Sequence, residues 1–277
     1  MNNAFINPQY QALLERNYLD SFNALWEAKI DWFEEPNVRR GGWSGVGQLR
    51  LQSTTGDEVL MYVKKQQDHG RRTWRHPIQG EPTFKREFNN LQFLDQKAFA
   101  APRVIYYGED NTSGHQRAIL ATLALDQHHS LDEWMQLKHV QSNRAQSNHS
   151  SEVQFNDADK KQLLGTIAQS IRQLHSLGVV HRALYPKHIF IKPNSVVSPA
   201  LTSDISASDI AVIDLEKARL SSAGWYRTYF DLAALFRHAT WWGKEDQQIF
   251  FKAYCGKAQL SCGERWMLKK IQQRAAR

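Results

Sequence analysis

The chain has 277 residues, 42% of them hydrophobic, with 35 Lys plus Arg against 28 Asp plus Glu and a formal charge of +7. That length and apolar content suit one bilobal domain or two small ones with sizeable cores, and they exclude disorder of the whole chain. The cationic excess favours an anionic partner, which nucleotides, phosphorylated sugars, phospholipid head groups and nucleic acids all satisfy, and charge alone does not separate them. No RNP, zinc-finger or helix-turn-helix pattern accompanies the charge, so nucleic acid ranks last among these partners. Cys255 and Cys262 stand at a spacing that matches no zinc or thioredoxin pattern and read as free thiols of a reducing compartment. The first residues carry no apolar segment after a basic start, and no stretch nears the roughly 18 apolar residues of a membrane span. A cytoplasmic protein, at most peripheral to a membrane, is the expectation.

In chain order, Leu13, Leu14, Tyr18, Phe22, Leu25 and Trp26 recur at helical spacing and predict one amphipathic helix over 10–32. From Val38 to Val63, short apolar or alternating runs broken by glycines predict a small antiparallel sheet with a tight turn near Gly56 and Asp57. A basic loop (Arg71, Arg72, Arg75, His76) precedes a helix over Pro82 to Lys97 with Phe84, Phe88, Leu91 and Leu94 on one stripe. Strands follow at 103–107 and Ala118 to Leu125, a helix begins at Leu131, and polar residues 139–158 predict a flexible loop. Lys160 to Leu177 reads as a helix closed by Gly178. Short strands at His188 to Lys192 and Asp209 to Ile213 flank a Ser/Pro-rich surface insert, and helices fill Tyr229 to the C-terminus. Neighbours on a helix point apart, so one of Trp241 and Trp242 is expected to be exposed, where it would serve a membrane interface. The fold class is therefore α+β, with an N-lobe over about 33–125 and a mostly helical C-lobe over about 126–277 in a single domain.

Three constellations carry chemistry. Gly42, Gly45 and Gly47 read as a glycine-rich turn able to bring backbone N–H groups close to phosphate oxygens, although many hairpins carry glycines for turn geometry only. Lys64 ends an apolar strand after that turn, and Glu87 in the next helix is positioned to hold its ammonium near phosphates. Lys65 competes with Lys64 for this role, because a strand alternates faces and only one of the two can point at the nucleotide. Asp214 follows the apolar run Ala211-Val212-Ile213, where a carboxylate suits a hard divalent cation such as Mg²⁺. The bland alternative is an Asp that caps the next turn.

The segment His181-Arg182-Ala183-Leu184-Tyr185-Pro186-Lys187-His188, followed by Ile213-Asp214-Leu215-Glu216, resembles the protein-kinase catalytic loop and metal-binding motif. In finer detail, Tyr185, His188 and the later Phe230-Asp231-Leu232-Ala233 are similar to the lipopolysaccharide kinase family, Kdo/WaaP and InaA type, with the InaA-like branch nearest. The resemblance implies a bilobal kinase-like fold, ATP and Mg²⁺ as cofactors, and a sugar hydroxyl of lipopolysaccharide core or a related anionic glycolipid as acceptor. It also implies peripheral contact with the inner membrane, His188 as a second metal contact, and Asp231 as an anchor for the catalytic-loop backbone. Ala183 departs from the pattern: it stands where kinases carry the Asp that accepts the hydroxyl proton, and a methyl group accepts none. Positioning and charge neutralisation do most of the work of phosphoryl transfer, so slow transfer without that base is one outcome, with His181 or His188 as candidate aids. Otherwise the chain is a pseudokinase, a nucleotide-binding regulatory or stress-response module.

Overall fold

The structure is a computed structural model that describes residues 4–39, 41–71, 80–112, 114–136, 156–193 and 205–277. The basic cluster beyond the Arg71 backbone, most of the predicted 139–158 loop and most of the Ser/Pro-rich insert lie outside the described residues. The chain divides into two compact units, the first spanning Met1–Gln96 and Pro102–Leu125, the second Lys97–Ala101 and Asp126–Arg277.

The first unit is built on an antiparallel sheet. Its strands are β1 (Phe5–Ile6), β2 (Asp31–Trp32), β3 (Asn37–Arg39), β4 (Gly42–Gln52), β5 (Glu58–Gln67), β8 (Val104–Asp110) and β9 (Arg117–Leu123); a separate small pair joins β6 (Gly70–Arg71) to β7 (Glu81–Pro82). The order across the sheet is β1-β8-β9-β5-β4-β2, with β3 also on β4. Helices α1 (Gln11–Arg16) and α2 (Phe22–Glu27) supply Leu14, Phe22 and Leu25 to a core with Met61, Val63, Ile105 and Ile119. Helix α3 (Thr83–Gln96) buries Phe84, Leu91 and Leu94.

The helix expected over 10–32 is therefore two short ones. Asn17 ends the first: its side-chain amide donates to the Gln52 carbonyl at 3.1 Å and its Oδ1 accepts the Gln52 N–H at 2.9 Å. Tyr18 then takes φ 58° and is 85% exposed, off the apolar stripe. Local periodicity chose the inward face of Leu14, Phe22 and Leu25, but a strand partner 35 residues away decided where the helix stops.

Strand alternation sorts β5 into two sets. Met61, Val63 and Lys65 face α1 and α2, whereas Lys64 and Gln66 meet α3. Gln66 caps α3 from outside that helix: its Oε1 accepts from Thr83 Oγ1 at 2.9 Å and from the Phe84 N–H at 3.2 Å. Lys65 is 3% exposed and donates to the carbonyls of Trp26 (2.9 Å) and Ala28 (2.8 Å) at the C-terminal end of α2, where a cation complements the helix dipole. Burial nevertheless pushes its pKa down to about 8, against the opposing pull of Glu27. The unfolded chain keeps this proton up to pH 10.5, so Lys65 should make stability rise as pH climbs from about 8 and fall back as pH drops through 8. A Lys65→Met protein is expected to lack that alkaline gain, which denaturant midpoints between pH 7 and 9.5 would measure. An identical pH profile would mean that the ammonium is solvated.

The second unit opens with β10 (His129–Ser130), and α4 covers residues 131–136. Helix α5 (Asp157–Ser176) starts at a capping box between Asn156 and Asp159 and buries Leu163, Leu164, Ile167, Ile171 and Leu174. Then come β11 (Val179–Val180), β12 (Ile189–Ile191), β13 (Ile210–Val212) and β14 (Arg219–Leu220), followed by α6 (Gly224–His238), α7 (Lys244–Cys255) and α8 (Cys262–Ala275). Strands β10, β12 and β13 form one antiparallel sheet, and β11 pairs with β14. Trp241 and Trp242 lie in the α6–α7 connection rather than within a helix. Trp242 packs on Phe236 and Phe250, and Trp241 is half-buried with its indole nitrogen enclosed. Neither is exposed, which corrects the expected surface indole; Trp225 and Trp266 are the exposed ones in this unit. Among the described residues no helix is long and apolar enough to cross a membrane.

Candidate active site

The glycine-rich segment is mostly strand. Gly42, Gly45 and Gly47 all lie in β4, so the expected turn over these three glycines is corrected. Packing explains each: a Cβ at Gly42 would sit 2.3 Å from the Asp68 carbonyl oxygen, at Gly45 2.6 Å from the Trp32 ring, and at Gly47 2.6 Å from the Asp31 carbonyl oxygen. Gly45 and Gly47 pair across to Lys65 and Val63, on the face turned away from Lys64.

Lys64 and Glu87 meet. The ammonium donates to both carboxylate oxygens at 2.7 Å, with Glu87 itself 3% exposed. The pair joins the middle of β5 to the first turns of α3, and it separates Lys64 from Lys65, whose ammonium is spent on α2 carbonyls. Charge-assisted bonds at this length are among the stronger polar contacts a protein makes.

In the second unit the segment after β11 is held from beneath by Asp231 on α6. Its carboxylate is fully buried and accepts the N–H of His181 at 2.6 Å, the N–H of Arg182 at 2.7 Å and His175 Nε2 at 3.1 Å. Arg182 sits at φ 66°, a left-handed conformation that costs a non-glycine residue of order 1–3 kcal/mol and persists only where the surroundings impose it. The Asp231 carboxylate is that imposition.

His181 is enclosed. Its Nε2 donates to the Ile213 carbonyl at 2.9 Å, its Nδ1 accepts the Ala183 N–H at 3.3 Å, and burial holds its pKa down. Both ring nitrogens serve backbone groups, which leaves neither for a substrate hydroxyl. His188 differs. Its Nδ1 lies 2.8 Å from the Ala183 carbonyl, which only accepts, so that nitrogen carries the hydrogen. Burial favours the neutral ring, and the Nε2 lone pair then faces Asp214 Oδ2 at 3.5 Å. Two electron-rich atoms at that separation invite a cation, and the outer bond from Nδ1 to a carbonyl is the kind that orients a metal-ligating histidine.

Asp214 follows β13 at φ 60° and ψ 57° and precedes a single 3-10 turn, Leu215–Lys217. Its side chain makes no capping hydrogen bond to that turn and is 36% exposed, so the capping alternative does not describe it. Ala183 is buried, with its carbonyl accepting from both Tyr185 N–H (2.8 Å) and His188. Sequence reasoning missed His175 and Gln66. A histidine in the last buried turn of α5, spaced to face the core, was the available sign for the first; Gln66 carried none.

These features are those of a protein-kinase-like fold: a lysine–glutamate pair in a β-rich unit, and a loop anchored by a buried Asp beside a strand-terminal Asp in a helical unit. The lipopolysaccharide kinase (Kdo/WaaP) family model matches residues 23–254, and the chain belongs to that family. It is 28% identical over 200 residues to Protein InaA of Escherichia coli (strain K12), covering 72% of this chain and 79% of that protein. Its fold resembles the solved structure of WaaP in complex with acyl carrier protein, with a TM-score of 0.62 at 21% identity over 98% of this chain and 99% of that one.

Proposed function

We propose that the chain is an ATP- and Mg²⁺-dependent kinase that transfers a phosphoryl group to a sugar hydroxyl of lipopolysaccharide core or a related envelope glycolipid. The observation that carries the reading is the double 2.7 Å bond from Lys64 to Glu87, which presents a fixed ammonium suited to phosphate oxygens. Asp214 would hold the divalent cation, with His188 Nε2 at its side. Among the described residues no group of three or more such side chains encloses a cation. Mg²⁺ is commonly held by one or two carboxylates and completed by phosphates and water, so Asp214 would be its main protein ligand here. When bound, the cation neutralises charge on the transferred group. Asp231 keeps the 181–182 backbone in place, and the acceptor oxygen bonds the γ-phosphorus as the bond to the β,γ-bridging oxygen breaks and ADP leaves, while the hydroxyl proton passes to solvent, because Ala183 offers no acceptor. The cytoplasmic face of the inner membrane is where such an acceptor and ATP would be met together.

Loss of a positioned base typically costs about 10²–10⁴-fold, so turnover is expected that far below the roughly 1–100 s⁻¹ of kinases. Ala183 supports a second reading, a pseudokinase that binds nucleotide and regulates a partner. Incubation with γ-labelled ATP, Mg²⁺ and dephosphorylated lipopolysaccharide decides between them. Label transfer that Asp214→Asn abolishes is the expected result; ATP binding without transfer to any lipopolysaccharide acceptor would replace the kinase with the regulator.

A further inference from the structure

Helix α8 buries Leu268 and Ile271, yet its largest apolar side chain, Trp266, is 59% exposed. At 3.6 residues per turn, Trp266, Lys269, Lys270 and Gln273 fall on one stripe that lies opposite the buried pair, and all four are exposed. The core therefore does not account for the indole. The Lys270 ammonium lies 5.6 Å from its ring centroid, and Lys269 beside it forms no ion pair among the described residues. Glu264, the one acidic residue of α8, sits in the first turn and is engaged by Ser261 and Lys257, so no carboxylate balances this stripe. The other cations of the helix are used within the protein: Arg265 bonds the Leu260 carbonyl, and Arg274 covers the rings of Tyr229 and Phe230 on α6.

We propose that this stripe of α8 is a docking surface for an anionic lipid bilayer. Two lysines without a neighbouring carboxylate complement a sheet of negative head groups, and an indole between them suits the boundary between head groups and acyl chains. Lysine is depleted from protein–protein interfaces, which makes an acidic protein the poorer fit for the same face. Trp266 thus takes the interfacial role that Trp241 and Trp242, both withdrawn from the surface, do not fill. The surface goes beyond the kinase reading and does not need it. Neither ATP nor Mg²⁺ takes part in the contact, so vesicle binding by a chain that transfers no phosphate would still support it.

Co-sedimentation of the full chain with vesicles tests the proposal. Binding is expected to vesicles of phosphatidylcholine mixed with phosphatidylglycerol, to weaken as salt rises, and to be absent with phosphatidylcholine alone. Removing both lysines in Lys269→Gln with Lys270→Gln should weaken it about 25-fold, at about fivefold per charge. Trp266→Gln should weaken it about tenfold, and Trp266→Phe should keep most of the affinity. Because these side chains are exposed, unchanged melting temperatures are expected throughout. The pair Lys29→Gln with Lys161→Gln removes the same charge from exposed positions off α8 and should bind as the parent does. No binding to the mixed vesicles, equal binding to phosphatidylcholine, an equal loss in the Lys29 and Lys161 pair, or full affinity in Trp266→Gln would overturn the proposal. So would a preference for poly-glutamate or a single-stranded oligonucleotide over the vesicles, which would give the face to a protein or a nucleic acid.

Discussion

An Asp231→Ala protein is expected to be about 3–5 kcal/mol less stable than its parent, the usual cost of removing one partner from a buried charged network. The carboxylate is fully buried and accepts three hydrogen bonds, two of them from backbone N–H groups of the 181–182 segment. Without it the His181 amide is left in an apolar interior, and Arg182 loses what holds it at φ 66°. Asp231→Asn tests the chemistry rather than the volume: its oxygen can accept one bond, but its NH₂ faces a second N–H donor. We expect the asparagine protein to fall between parent and alanine variant in urea midpoint, with an unchanged dependence on denaturant. A loss under about 1 kcal/mol in the alanine variant would mean that the loop stands without its anchor.

The second large effect concerns Lys64. Replacing it alone would leave the Glu87 carboxylate, 3% exposed, without the ammonium that bonds both its oxygens, so lost stability would obscure lost binding. The double variant Lys64→Met with Glu87→Gln removes both charges at similar volume and is expected to fold. Its affinity for ATP with Mg²⁺ should fall by about 10²-fold, the scale of one or two charge-assisted bonds to phosphate. A thermal-shift titration reads this directly: the parent melts higher with ATP and Mg²⁺, the double variant does not, and Asp214→Asn loses the part of the shift that Mg²⁺ adds. A parent protein that shows no shift would end the nucleotide reading.

Much of this arrangement was legible from residue order. Residue order singled out Lys64 and Glu87, which meet in the first unit, and the 181–188 segment and Asp231, which meet in the second, and hydrophobic periodicity located α3, α5 and the helices after Gly224. Capping chemistry was legible as well: Asn156 and Asp159 open α5, and Gly178, at φ 87°, follows its end.

What stayed hidden depended on partners far along the chain. Lys64 and Lys65 are adjacent and chemically alike, and their roles diverge only because α3 covers one face of β5 while α1 and α2 cover the other. Three glycines looked like a phosphate turn, yet Trp32 and the carbonyls of Asp31 and Asp68 are what leave no room for their side chains. One amphipathic period became two helices because Asn17 found Gln52. Sequence by itself determined which residue types recur, on which kind of element, and that Ala183 stands where the kinase resemblance has an Asp, because periodicity and motif spacing are local properties of the chain. Only the tertiary structure decided which face each strand residue takes and which buried donors meet an acceptor. Tyr254 and His175 are 79 positions apart, and nothing but the packing of α5 against α7 sets their hydroxyl and imidazole at 2.8 Å.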